Sequence, residues 1–330
     1  MAVIGCGRMG RLHARVYAQL PSTRLVGVYD ADPAAAAATA REYGTRAVAD
    51  LDELLGGQQV RAVTIATPTT THLSLAERCI QRGVACLIEK PLAKDAAEAR
   101  RIADLARRHG VTVQVGHIER FNPAVRAMAR VGVRPRFIEV DRISPLTFRS
   151  IDVGVVLDMM IHDIDIVLTL AASPVARVDA VAIAVVGDAE DICNAWVTFE
   201  NGCVAHLNAS RLAMKTERKL RVFGPDTYVS VDYQKKSGTV IRKGRDLAAI
   251  RAAVAALRRG EVRDLSDLNK DNLVEVEQLP VDDVEPIRAE LEAFVHAVAT
   301  GTRPVVSAED GLAAVETAER IVAAARAAGV

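Results

Sequence analysis

Metal and disulfide chemistry have little to work with in this sequence. Its five cysteines, Cys6, Cys79, Cys86, Cys193 and Cys203, are scattered, with no CxxC pair and no close histidine partner. Neither a zinc site nor a disulfide framework is expected, and a reducing, cytoplasmic setting fits that usage. An excess of one charge is missing too, since 42 Lys and Arg face 42 Asp and Glu. A neutral chain has no field to draw nucleic acid or an anionic membrane. The short basic clusters RKGR (242–245) and RRGEVR (258–263) read as solvated loops. No apolar run approaches bilayer-spanning length. The opening MAVIGCG reads as a strand, not as a signal peptide. There is no internal repeat and no low-complexity linker.

What is there is ordinary globular composition, half of it hydrophobic, over 330 residues. That length favours two domains. Residues 1–118 alternate short apolar strands (Ala2–Ile4, Leu25–Tyr29, Ala62–Ala66, Ala85–Ile88, Thr112–Val115) with helical runs near 10–20, 33–43, 72–82 and 95–109. Such alternation predicts a parallel sheet. From residue 119 the texture changes: a helix near 123–131 is followed later by β-rich segments at 175–186, 193–199, 203–211, 218–223, 227–232 and 238–242. These read as a meandering antiparallel sheet, residues 243–283 stay unassigned, and two helices close the chain.

VIGCGRMG places Gly5, Gly7 and Gly10 in a GxGxxG pattern after a strand and at the start of a helix. The glycines permit a tight turn, and a helix start suits a pyrophosphate. Asp30 ends the second strand, where a carboxylate binds a ribose diol and disfavours a 2′-phosphate. NAD is therefore the expected cofactor. IATPTTTH (65–72) puts Thr67, Pro68, Thr69 and His72 at a strand's carboxyl edge, where a turn-and-cap role is nearly as good a reading. IEKPLA (88–93) places Glu89 and Lys90 at the same edge, where the lysine is either a solvated charge or a hydrogen-bond donor to a reacting hydroxyl.

DMMIHDIDIV (158–167) sets one histidine among three aspartates in an apolar stretch. On one regular helix Asp158, His162 and Asp165 fall within about 60° of each other. Met159, Met160, Ile161, Ile164, Ile166 and Val167 fill the remaining circumference. The helix is buried with a narrow titratable strip, which either meets solvent at a domain edge or faces a cleft.

VIGCGRMGRLHA, EKPLA and DMMIHDID, in this order, resemble the Gfo/Idh/MocA oxidoreductases. The resemblance covers essentially the whole chain. It implies an α/β architecture: an N-terminal Rossmann fold and a C-terminal α/β domain (119–330) on an open, mainly antiparallel sheet. We expect the terminal helices to pack back towards the Rossmann domain. The family's EKP lysine is then Lys90, and its DxxxH acid and histidine are Asp158 and His162. The strip would face the cleft between domains, with His162 as base, Asp158 and Lys90 as its catalytic partners, Asp165 supporting them from behind and Asp163 a structural partner. Cofactor contacts are expected from Gly5, Gly7, Arg8, Met9, Gly10, Asp30, Thr67, Pro68, His72, Glu89 and Lys90. Substrate contacts are expected from Lys90, Arg120, Asn122, Asp158 and His162, and no metal is expected.

VGHIERFNPAV, PRFIEVDRISP and FENGCVAHLNASRL resemble the subgroup containing UDP-N-acetylglucosamine 3-dehydrogenases. That implies oxidation of a sugar 3-hydroxyl for lipid A biosynthesis, a functional partner in a PLP aminotransferase, and a homo-oligomer, dimer or tetramer. Arg120 and Asn122, like Arg142, His206, Asn208 and Arg211, are equally compatible with structural roles. Three other readings stand beside this one: a dehydrogenase of a free sugar or inositol, a non-catalytic dinucleotide sensor, and a redox-assisted glycosidase.

Overall fold

The computed structural model describes residues 1–56, 60–147, 153–244, 247–261 and 274–327. Strands β1 (Ala2–Ile4), β2 (Gly27–Tyr29), β3 (Ala62–Ile65), β4 (Ala85–Glu89) and β5 (Val113–Gly116) alternate with helices α1 (Arg8–Gln19), α2 (Pro33–Tyr43), α3 (Leu51–Gly56), α4 (His72–Ile80) and α5 (Ala96–His109). The strands pair in parallel in the order β2-β1-β3-β4-β5. Every residue of β1 and β3 is buried, as a sheet covered by helices on both faces requires. The chain leaves β1 for β2 on one side and returns to β3 on the other, and ligands bind at such a reversal. Local chemistry ends the helices where the sequence says it should. Asp95 accepts from the Glu98 N–H at 2.8 Å to start α5, and Gly110, at φ 63°, stops it.

Next come α6 (Pro123–Val131), β6 (Phe137–Ile143), a π-helical turn at Val156–Met160, and α7 (Ile161–Ala171). Six strands follow: β7 (Val175–Ile183), β8 (Ile192–Phe199), β9 (Val204–Ser210), β10 (Glu217–Phe223), β11 (Thr227–Asp232) and β12 (Ser237–Lys243). Then come α8 (Leu247–Arg258) and β13 (Val274–Gln278). The sheet runs β13-β12-β11-β10-β6-β9-β8-β7. It is not a simple meander, because β6 enters the middle, antiparallel to β10 and parallel to β9. The sequence does not mark β6 as central, since its two partners lie 60 or more residues downstream. Nor does it mark α3 or β13, which are short, or α8, which lies in the charged stretch left unassigned. In the unassigned stretch 243–283, residues 245–246 and 262–273 lie outside the described residues, and with them Arg245, Val262 and Arg263 of the basic clusters.

One face of this sheet is covered. Ile138, Val140, Leu220, Val222, Val229 and Val231 pack with Met128 of α6, Ile164 and Val167 of α7, and Ala318 and Ile321 of α10 (Ala308–Ala327). The other face is open and carries Val181, Ile183 and Trp196 in exposed positions. Helix α9 (Pro286–Thr300) returns to the first sheet, where Ile287, Leu291 and Phe294 share a core with Val3, Tyr17 and Leu87. All five cysteines are buried and free. Among the described residues no helix is long and apolar enough to cross a membrane.

Candidate functional site

Two cavities meet along the carboxyl edge of the parallel sheet. The larger, about 1010 Å³, is bordered by Gly5, Gly7, Arg8, Met9, Asp30, Thr67, Pro68, Thr69, Glu89 and Lys90. Its floor depends on close backbone approach. A Cβ on Gly10 would sit 1.7 Å from the Gly5 carbonyl oxygen, and one on Gly5 would sit 2.4 Å from that of Ala66. Gly10 is thus a packing residue that does not border the cavity itself. At Gly7 a Cβ would meet nothing within 4 Å, and α1 starts there without a side-chain cap. Open space in front of uncapped N–H groups fits a pyrophosphate. Asp30 is fixed by the backbone, its Oδ2 accepting from the Cys6 N–H at 2.5 Å and its Oδ1 from the Asp32 N–H at 2.8 Å.

His72, an expected cofactor contact, is elsewhere. Its ring is buried, with Nδ1 3.0 Å from the Pro91 carbonyl oxygen and Nε2 3.1 Å from that of Thr67. It ties together the two loops that border the cavity instead of entering it. Burial pushes its imidazole below the ordinary range.

The second cavity, about 650 Å³, opens beside the first and is bordered by Lys90, Asp158 and His162 among others. The stretch 158–167 is not one regular helix. Its first residues belong to the π-helical turn and the rest to α7. A widened turn suits the contact made there, because Lys90 Nζ donates to the Asp158 main-chain oxygen at 2.6 Å and lies 3.2 Å from its Oδ1. The expected strip therefore splits. Asp158 and His162 face the cleft, whereas Asp165 turns away to a two-pronged pair with Arg120 at 2.7 and 2.8 Å. Asp163 forms a second such pair, with Arg142 at 2.6 and 2.8 Å, and Glu119 adds a contact to Arg142 at 3.1 Å. Both pairs clamp the helix that carries His162.

His162 is half-buried where it borders the cleft. Burial first, then the Lys90 and Arg142 cations, hold its imidazole well below the ordinary range. His117 packs edge-on at 6.1 Å between ring centroids, and burial holds it low as well. His162 Nδ1 and both His117 nitrogens have no hydrogen-bond partner in the protein. A neutral imidazole at the cleft, beside a lysine held by a carboxylate, is a proton acceptor ready for use.

Arg120 and Asn122, expected at the substrate, are not brought to this cleft. Arg120 borders a different cavity with Asp165. Asn122 is buried and spends its side chain on the Ala124 N–H at 3.1 Å and on Glu119 at 3.2 Å. Arg142 and Arg211 do border the cleft. His206 and Asn208 lie on the sheet's open face, held by Asn194 at 3.0 Å and Asp141 at 3.1 Å. Arg218 borders the cleft and was not anticipated. Its signal was present in the alternation: positions 218, 220 and 222 share the covered face of β10, so a charge at 218 breaks an apolar row.

Residues 1–117 match the family described as an oxidoreductase family with an NAD-binding Rossmann fold. Residues 136–229 match the GFO/IDH/MocA C-terminal domain. The chain is 37% identical over 324 residues to the UDP-N-acetylglucosamine 3-dehydrogenase of Acidithiobacillus ferrooxidans, covering 98% of this chain and 94% of that protein. It is 28% identical over 334 residues to an inositol 2-dehydrogenase of Rhizobium meliloti, covering 97% and 94%. A solved structure of the Acidithiobacillus ferrooxidans enzyme superposes with a TM-score of 0.87 at 34% identity, over 99% of this chain and 97% of that one. Levoglucosan dehydrogenase in complex with NADH, at 21% identity, shares the fold with a TM-score of 0.81. A glycine loop that fits a pyrophosphate, a fixed Asp30 and a neutral histidine beside a held lysine are thus explained together: the chain belongs to the Gfo/Idh/MocA family, as an NAD-dependent oxidoreductase acting on a CH–OH group.

Proposed function

We propose that the chain oxidises the 3-hydroxyl of UDP-N-acetylglucosamine to the 3-keto sugar, in the cytoplasm, on the route to lipid A. The observation that carries this reading is the pair of cations left for an anion at the cleft. Arg142 is neutralised by Asp163 and Glu119, and Arg211 lies 3.3 Å from Asp191. Arg218 is exposed to the cleft and has Glu119 no nearer than 4.0 Å. Arg8 borders both cavities and makes no ion pair with any described residue. A neutral inositol or free sugar offers these arginines only hydroxyl acceptors, whereas a diphosphate offers them charge-assisted hydrogen bonds. The likeness to the Acidithiobacillus ferrooxidans enzyme supports the same substrate.

In this reading His162 takes the hydroxyl proton, and Lys90 donates to the oxygen as it becomes a ketone. Asp158 keeps Lys90 aimed. Bound NAD supplies the hydride acceptor, so one hydride and one proton leave the alcohol. Residues 1–118 serve as the cofactor domain and 119–330 as the substrate domain. A PLP aminotransferase consumes the ketone, and the open sheet face with Val181, Ile183 and Trp196 supports assembly into a homo-oligomer.

The test is a panel of nucleotide sugars, free sugars and inositols incubated with NAD+, an aminotransferase and its amino donor. The expected product is the 3-amino sugar nucleotide, or without the coupling enzyme a little of a nucleotide sugar lighter by two hydrogens. Losing the diphosphate removes charge-assisted contacts worth about 1.5–3 kcal/mol each. Free N-acetylglucosamine should therefore react about 10²-fold or more less efficiently, in turnover as well as affinity. A free sugar or inositol reacting better than every nucleotide sugar would overturn the assignment.

Asp30 supports a second expectation. A 2′-phosphate would face a carboxylate already fixed by two backbone N–H groups, with Ala31 next to it. NAD+ should bind about 10²-fold tighter than NADP+, and Asp30→Ala should narrow the gap. Equal affinities in the unaltered protein, measured by titration, would remove Asp30 from this role.

A further inference from the structure

Glu89 has no part in the proton transfer described above, yet it stands where the two cavities join. Arg8, Met9, Glu89, Lys90 and Asp158 are the residues that border both. The nicotinamide ring of an NAD-dependent enzyme has to reach that junction for hydride to pass between cofactor and substrate. The oxidised ring carries a positive charge, and reduction removes it. Lys90 is the opposing charge nearby, but Asp158 holds its ammonium at 3.2 Å. Glu89 is the carboxylate left to act on the ring.

We propose that Glu89 discriminates oxidised from reduced cofactor by its charge, and that a buried line beneath it, His13, Thr64 and Tyr17, holds it in place for that purpose. The inference rests on the NAD-binding reading of the site. Glu89 has a neighbour at each oxygen. Its Oε1 lies 3.0 Å from His13 Nε2, a close approach without hydrogen-bond alignment, and its Oε2 accepts from the Lys90 N–H at 3.3 Å. Gly116 leaves it room, since a Cβ there would stand 3.1 Å from the carboxyl group. His13 Nδ1 is 3.2 Å from Thr64 Oγ1, which is 2.9 Å from the Tyr17 hydroxyl. His13, Thr64 and Tyr17 are fully buried, so this line ends in the core. It is a mount and not a proton path to solvent.

Glu290 reaches the same region from α9, near the other end of the chain. It is buried, and its Oε1 has no hydrogen-bond partner in the protein. Burial, then the negative charge of Glu89, pushes its carboxyl well above the ordinary range. Of the two carboxyl groups, only Glu89 borders the cavities.

The test is equilibrium binding of the full chain, with NADH titrated by its own fluorescence and NAD+ by competition. Glu89→Gln, which keeps shape and removes charge, should raise the ratio of the NAD+ to the NADH dissociation constant about tenfold or more, the usual scale of one nearby charge. Tenfold corresponds to an upward shift of about 30 mV in the potential of the bound couple. Glu89→Asp should keep the ratio close to that of the unaltered protein, and it serves as a second variant if the glutamine fails to fold. Glu290→Gln should move the ratio far less than Glu89→Gln, because Glu290 borders neither cavity. His13→Ala should shift the ratio in the same direction as Glu89→Gln, by less. If Glu89→Gln weakens both nucleotides equally, Glu89 is a plain polar contact and the proposal fails. If Glu290→Gln moves the ratio as far as Glu89→Gln, the charge lies on Glu290 and the proposal fails. An unaltered protein that binds neither nucleotide would count against the NAD-binding reading instead.

Discussion

Replacing His162 with alanine is expected to lower turnover about 10²–10⁴-fold, the usual worth of a positioned base, while NAD+ still binds. The imidazole borders the substrate cleft, with no part in the glycine loop or the Asp30 pocket. Lys90→Ala should be comparably harmful, since Lys90 Nζ is aimed at the same cleft by both Asp158 contacts. His72→Ala and His117→Ala should matter less to the chemical step. The pH profile gives an independent check. The neutral imidazole is the working form, and burial, Lys90 and Arg142 hold its pKa well below 6.5. Efficiency should therefore stay level as pH falls through 6.5 and decline only below it. In Lys90→Ala one opposing cation is gone, so the acid limb should move up in pH whatever the loss in rate. Near-normal turnover in His162→Ala would sink the proposed base. An acid limb that ignores Lys90 would sink the electrostatic account.

Asp163→Ala should cost the fold about 3–5 kcal/mol, the scale for breaking a buried ion pair by removing one member. Arg142 and Asp163 have side chains only 4% and 2% exposed, and they meet through two parallel hydrogen bonds. Without Asp163, Arg142 keeps one contact to Glu119 and stays buried. Burial first, with the Glu119 charge, pushes the Asp163 carboxyl up, and the Arg142 guanidinium is the main opposing influence, with Arg218 adding to it. The measurement is urea unfolding followed by a signal from the single tryptophan, Trp196, on β8 of the large sheet. Exposed pairs such as Arg177–Asp179 set the contrast, because their loss should cost at most about 1 kcal/mol. A change that small in Asp163→Ala would show that the clamp on α7 is not buried in solution.

Much of the first half was legible because its signals are local. Period-two and period-3.6 patterns, Asp95 before α5, Gly110 after it and the glycine loop between β1 and α1 each depend on neighbours within a few positions. The family resemblance rests on short motifs of the same kind. Hence the α/β class, the Rossmann fold, the cofactor and the reaction type could be read from the chain, and the comparisons agree with all four.

The misreadings share one cause, which is that spacing along an element does not say which partner a side chain takes. Asp165 was placed beside His162 by helical spacing, but Arg120, 45 positions earlier, turns it the other way. Arg120 and Asn122 stand near the cleft in sequence and are consumed by a pair and a helix cap. His72 has the right address and the wrong direction, because the Pro91 and Thr67 carbonyls claim its ring. In β6 and β10 the sequence shows alternation but not which face is covered, and that choice alone separates a cleft-facing Arg218 from a solvated one. The chain by itself determined which chemical groups are available and which local elements carry them. The meeting of Lys90 with Asp158, the lowered pKa of His162 and the burial of Glu290 came only with the tertiary structure. Charge, hydration and direction depend on everything packed within a few ångströms, and most of that comes from another part of the chain.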